Sequence, residues 1–119
     1  MASAAHIVCA DMSDRRERLR ALLAEQPGDS FLLFALAREY HNAGEFAEAA
    51  GAYADLRARD PGYVGLYYHY AAVLAALHRE DEAEEVYRAG IRQAEAADEQ
   101  RAAAELRGAL MNWQIERDA

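Results

Sequence analysis

The chain has no lysine: all 13 of its basic side chains are arginines, set against 21 acidic ones, for a net charge of -8 over 119 residues. An acidic surplus repels phosphate backbones and anionic lipid, so the composition argues against nucleic-acid and membrane-surface roles. The missing lysine fits a GC-rich genome, and the acidic surplus would suit high-salt surroundings, where salt screens self-repulsion. Cysteine is almost as scarce. Cys9 stands alone, which excludes an internal disulfide and leaves the cytoplasm as the expected compartment. Proline occurs only at Pro27 and Pro61; strand-like alternation is missing and alanine, the best helix former, is abundant, so an all-α protein is expected. Long hydrophobic runs are lacking as well. The apolar stretch from Ala4 to Ala10 has no basic segment before it and is too short to span a bilayer, so it reads as neither signal peptide nor membrane span.

Chemistry-bearing motifs are also absent. There is no HExxH, no cysteine pair and no glycine-rich phosphate loop, so no metal, cofactor or catalytic role is expected. The acidic run Glu80, Asp81, Glu82, Glu84 and Glu85 falls at a helix start, where the helix dipole and solubility account for it.

What is present is helical period. A chain of this length suits one domain with a core of its own. Residues 1–12 carry no amphipathic period and read as a flexible N-terminal leader; residues 13–119 read as a single domain with helices over about 13–26, 30–43, 45–59, 63–77, 81–97 and 98–116. In the first of these Leu19, Leu22 and Leu23 form an apolar stripe, with Ser13 or Asp14 as cap. In the stretch Ser30 to Pro61, Leu33, Leu36, Ala37 and Tyr40 share one helical face, and Phe46, Ala49, Tyr53 and Leu56 share another. Asp29 or Ser30 caps the first of these two helices, and Gly44 supplies the backbone freedom to end it. The pattern then recurs: Tyr67, Tyr70, Ala71 and Leu74 stand 34 positions after Leu33, Leu36, Ala37 and Tyr40, and Ala83 and Tyr87 stand 34 after Ala49 and Tyr53. In the second copy the turn is His78, Arg79, Glu80, with Asp81 and Glu84 as a capping-box-like start. Asp98 is expected to cap a last helix that packs through Ala103, Leu106, Leu110 and Trp113, leaving Met111 off that face.

This period and these residue types resemble the tetratricopeptide repeat (TPR). The first copy matches through Leu33, Leu36, Ala37, Tyr40, Ala49, Tyr53 and Pro61; the second matches through Tyr67, Tyr70, Ala71, Leu74, Ala83 and Tyr87, with Glu95 in place of the closing proline. The resemblance implies an all-α, right-handed alpha-alpha superhelix: two full helix-turn-helix repeats flanked by an N-terminal helix and a C-terminal capping helix. It also implies a non-catalytic module whose partner is a protein or peptide, held as an extended segment or helix in a concave groove. The alternative is a structural homo-oligomer assembled through the last helix or the groove, and an enzyme or small-ligand binder comes last.

Carried across residue by residue, the groove positions are Phe31, Phe34, Arg38, His41 and Asn42 in the first repeat, facing Gly65, Tyr68, His69, Ala72 and Ala76 in the second. The resulting peptide-binding set is Phe31, Phe34, Arg38, His41, Asn42, Tyr68 and His69. His41 and His69 lie on the side away from the core and read as solvated. The family's clamp for a C-terminal carboxylate is not matched, because its lysine and asparagine positions fall at Phe34, Arg38 and His69.

Overall fold

A computed structural model describes the backbone from Ala4 and the side chains from Asp14 onward. Six helices run through these residues: α1 (Ala4–Glu25), α2 (Ser30–Asn42), α3 (Phe46–Arg59), α4 (Gly65–Ala76), α5 (Glu80–Ala96) and α6 (Gln100–Asp118). The helix expected from Ser13 therefore begins earlier in the chain. The expected leader, with His6 and Cys9, falls where side chains lie outside the described residues.

Neighbouring helices pack in chain order as antiparallel pairs, and α4 also touches α2 and α6. Among the described residues the buried core runs from α2 to α6. Ala37, Ala49, Ala71 and Ala83 are fully buried, and their small side chains let the helices approach closely. Tyr53, Leu56, Leu66, Val73 and Leu74 are buried just as completely. The Tyr53 and Tyr70 rings stack with centroids 5.9 Å apart, joining the first repeat to the second. Tyr87 and Trp113 stand 6.0 Å apart and join the second to the last helix.

One turn design serves three helix ends. At Gly44 the backbone takes φ +77°, and the Glu45 amide donates back to the Tyr40 carbonyl at 2.9 Å. The same reach is made by Arg79 to Leu74 and by Glu99 to Ala94, with His78 at φ 59° and Asp98 at φ 57° in the left-handed position. Bonds of this kind satisfy carbonyls that a helix end leaves open. A side chain there costs about 1 to 2 kcal/mol relative to glycine, so packing of the hairpins, not local preference, holds these two turns. Asp98 thus ends α5 rather than capping α6, whose N-cap is Glu99 without a side-chain bond. The capping box expected at Asp81 and Glu84 is likewise not formed, since α5 starts at Glu80 behind Arg79. Asp29 does cap α2, accepting from the Leu32 amide at 3.0 Å.

Among the described side chains of α1, arginines make the polar contacts to α2 and to the N-cap of α3, and of the leucine stripe only Leu19 and Leu23 are partly covered. Arg16 pairs with Glu45 at 2.6 Å and lies over the Tyr40 ring, 5.0 Å from its centroid. Arg20 donates to the Tyr40 hydroxyl at 2.6 Å, and Arg15 reaches Glu39 at 3.1 Å. Leu19 and Leu23 are half-buried, whereas Leu22 is exposed. Tyr40 is therefore roofed by guanidinium groups, which explains why it stays half-buried on a face expected to be core; Leu36 on the same face is also half-buried.

Candidate functional site

Phe31, Phe34, Arg38 and His41 are spaced so that they share one side of α2, and Gly65, Tyr68, His69 and Ala72 share one side of α4. Packing of the two repeats turns these sides toward a common groove. Phe34 sits at its centre: its ring lies 5.3 Å from Tyr63, 5.7 Å from His69 and 6.3 Å from Tyr53, centroid to centroid. Tyr68 stands edge-on to His69 at 5.3 Å. Phe34 is thus packed against α3 and α4, while Phe31, one turn earlier, is 67% exposed and Tyr68 is 47% exposed. Asn42 is exposed at the C-terminal end of α2, and Ala76 at that of α4.

Two histidines meet at Arg38. Its Nη1 lies 3.1 Å from His69 Nδ1 and 3.4 Å from His41 Nδ1, and the Tyr53 hydroxyl lies 3.3 Å from the same His41 nitrogen. Arginine can only donate, so both Nδ1 atoms must be lone-pair acceptors and both rings are neutral. Burial, then the Arg38 charge and then His41, push the His69 pKa down to about 4; burial and Arg38 also lower His41. Burial carries the Tyr53 hydroxyl up to about 12, so it stays protonated and able to donate. The expectation that both histidines are plainly solvated is therefore corrected. His69 is covered by Phe34 and Arg38 of the facing repeat, and His41 by Phe46 and Tyr53 of α3 and by His69, none of which a single helix's pattern records.

The sign of the pH effect follows. The unfolded chain takes up a proton at position 69 near the ordinary histidine value of 6.5, whereas the folded chain resists until about 4. The neutral cluster thus contributes its full stability above about pH 6.5, and that contribution is lost as pH falls toward 4. His69→Gln should flatten this fall. Between those pH values it should lose about 1 to 2 kcal/mol less than the wild type, a figure discounted because the ring retains some water contact. Urea unfolding at pH 7 and pH 4.5 measures it, and parallel losses in both proteins would refute the assignment.

Four of the expected groove residues, Phe34, Arg38, His41 and His69, form one contact cluster. Phe31 and Tyr68 flank it and Asn42 stands apart. Three contributions were not anticipated: the Tyr53 hydroxyl, the Tyr63 ring and the whole of α6. Val64, Gly65, Tyr68, His69, Glu99, Ala102, Glu105 and Leu106 line an open cavity of about 380 Å³ between α4 and α6. The signal was available, since the groove positions Gly65 and Tyr68 moved on by the same 34 residues fall on Glu99 and Ala102. α6 therefore lines the groove as well as covering the second repeat. Among the described residues, no group of three or more histidine, cysteine, aspartate or glutamate side chains is arranged to hold a metal ion.

No family model and no curated protein matches the sequence. Solved structures do. A tetratricopeptide repeat domain protein from Salinibacter ruber, solved by NMR, is 33% identical, and the match covers 73% of this chain and 88% of that one at a TM-score of 0.69. A crystal structure of a tetratricopeptide repeat domain protein from the same organism gives 32% identity, 72% and 97% coverage and a TM-score of 0.68. The chain belongs to the tetratricopeptide repeat family, and its helix pairs form the family's right-handed superhelix. The TPR2B domain of yeast Sti1, solved in a complex with pHsp70, superposes with a TM-score of 0.81 over 92% of this chain and 88% of that one. At 16% identity that likeness shows the fold alone.

Proposed function

We propose that this protein is a non-catalytic interaction module of the cytoplasm that holds a peptide or a partner helix in the concave groove formed by α2, α4 and α6. One observation carries the reading: Phe31 and Tyr68 stay exposed beside a rigid cluster of Phe34, Arg38, His41 and His69. Exposed aromatics next to fixed polar groups are what binding hot spots are made of. The Sti1 domain solved in a complex with pHsp70 supports partner binding as a use of this fold. The acidic balance weighs against nucleic acid and anionic membranes as partners, and no described helix is long and apolar enough to cross a membrane.

Affinity capture from the native source with wild type and with the Phe34→Ala, Tyr68→Ala double variant tests the reading. Partners held by the wild type should bind the double variant at least tenfold more weakly, by roughly 2 kcal/mol or more at a hot spot. Equal retention by both would place the partner elsewhere.

A second reading, self-association, is favoured by Met111 and Ile115, which are 61% and 62% exposed one turn apart on α6. Trp113, also considered for this role, is half-buried against Tyr87 and lies under the Arg117 guanidinium, so it is not part of that face. Molar mass by light scattering over a hundredfold range of concentration decides it. Self-association predicts a rise toward the dimer that Met111→Glu abolishes, and a constant monomer mass removes this reading.

A further inference from the structure

We propose that the cavity between α4 and α6 receives a basic side chain, lysine or arginine, from the bound segment; this deepens the groove reading and rests on it. The cavity is built for a long stem with a cationic head. Val64, Ala102, Leu106 and the exposed ring of Tyr68 supply apolar walls, and Glu99 and Glu105 supply two carboxylates. No lysine or arginine lines the cavity. Glu99 forms no ion pair among the described residues, and the partner of Glu105 is Arg101, 3.3 Å away and 94% exposed. Such an exposed pair is worth little and exchanges readily. His69, the remaining polar wall, is neutral at pH 7 and does not repel a cation.

Size and charge agree on the occupant. About 380 Å³ lies at the small end of ligand sites, room for one long side chain. Methylene groups would cover Leu106 and Ala102, and the Tyr68 face can attract a cation. The head would meet carboxylates, for which guanidinium offers paired donors. An acidic or uncharged polar side chain would gain none of this and would face two like charges or leave them desolvated. Arg38 keeps its charge on the α2 side of His69. The groove therefore changes sign along its length, and that would fix the direction of a bound segment.

The test uses the whole chain, isotopically labelled, titrated by NMR with N-acetyl-arginine methylamide and with its uncharged citrulline counterpart. The arginine probe should give saturable shifts at Gly65, Tyr68, Ala102 and Glu105. The citrulline probe should bind at least tenfold more weakly, and the Glu99→Gln, Glu105→Gln variant should lose a similar factor for arginine. Both glutamates are exposed, so this variant keeps its fold, and an otherwise unchanged spectrum verifies that. Equal binding of the two probes, arginine shifts confined to other acidic surfaces, or an unaffected glutamine variant would each overturn the proposal. Failure here is separable from failure of the groove. A captured partner that depends on Phe34 and Tyr68 but whose bound segment lacks any basic residue removes the cation subsite and leaves the groove intact.

Discussion

Tyr53→Ala should unfold most of the chain near room temperature. Tyr53 has no solvent exposure, stacks on Tyr70 at 5.9 Å across the interface between repeats and meets Phe34 within its own repeat. Replacing a buried aromatic by alanine typically costs about 3 to 5 kcal/mol, which is much of the roughly 5 to 15 kcal/mol that holds a small domain together. The loss falls where neighbouring repeats depend on each other, and repeats of this kind derive stability from such interfaces. A thermal melt read by circular dichroism should show a collapsed or strongly lowered transition; a midpoint within a degree or two of wild type would mean the position is not core. Tyr53→Phe separates packing from the hydroxyl. It keeps the ring and loses the hydroxyl's contacts with His41 and Arg38, so about 1 to 2 kcal/mol is expected.

The position of Tyr53 was legible because its signal is local. Residues three and four apart lie on one helical face, and the 34-residue recurrence gave the register of the second hairpin from the first. Ala103, Leu106 and Leu110 were read correctly in the same way and are buried. What failed depends on residues distant in sequence. Gly44 announces a left-handed turn, but His78 and Asp98 adopt the same conformation without glycine, because the helices on either side are already fixed by packing. Leu22 belongs to a convincing stripe yet is exposed, since Arg16 and Arg20 reach Tyr40 instead.

The groove shows the same division. Its residues could be set on one side of α2 and of α4 by spacing, but their chemistry could not. Whether His69 is solvated or held neutral depends first on its burial against the first repeat and then on Arg38, 31 positions away. That pairing exists only after two repeats stack. The cavity walls from α6 are hidden for a related reason: the apolar stripe of a terminal helix records only the side that covers the core. In a continuous solenoid the same helix covers with one side and lines the groove with another.

Gly90 is the position where the copies differ most informatively, and Gly90→Ala should destabilise the protein by about 1 to 3 kcal/mol. Glycine within a helix ordinarily costs about 1 kcal/mol relative to alanine, so the naive expectation is a gain. Gly51 and Gly108 meet that expectation: a Cβ there has nothing within 4 Å, and Gly51→Ala and Gly108→Ala should each add about 0.5 to 1 kcal/mol. At Gly90 an added Cβ would stand 2.5 Å from Tyr67 Cβ, 2.9 Å from its Cγ and 3.2 Å from Leu106 Cδ1. Tyr67 cannot swing away. Its Cβ is tied to the α4 backbone, and its hydroxyl donates to the Pro61 carbonyl at 2.5 Å. The helices themselves would have to part, opening the α4, α5 and α6 junction that also shapes the cavity. The first repeat explains the arrangement, for 34 positions before Tyr67 and Gly90 stand Leu33 and Leu56. Two leucines have been exchanged for one large and one minimal residue, with volume moved from α5 to α4. The Tyr67→Leu, Gly90→Leu double variant, which copies the first repeat, should therefore be less destabilised than Gly90→Leu alone. Denaturant melts of the four proteins in that cycle measure the coupling, and simple additivity would show that the two positions do not share one space.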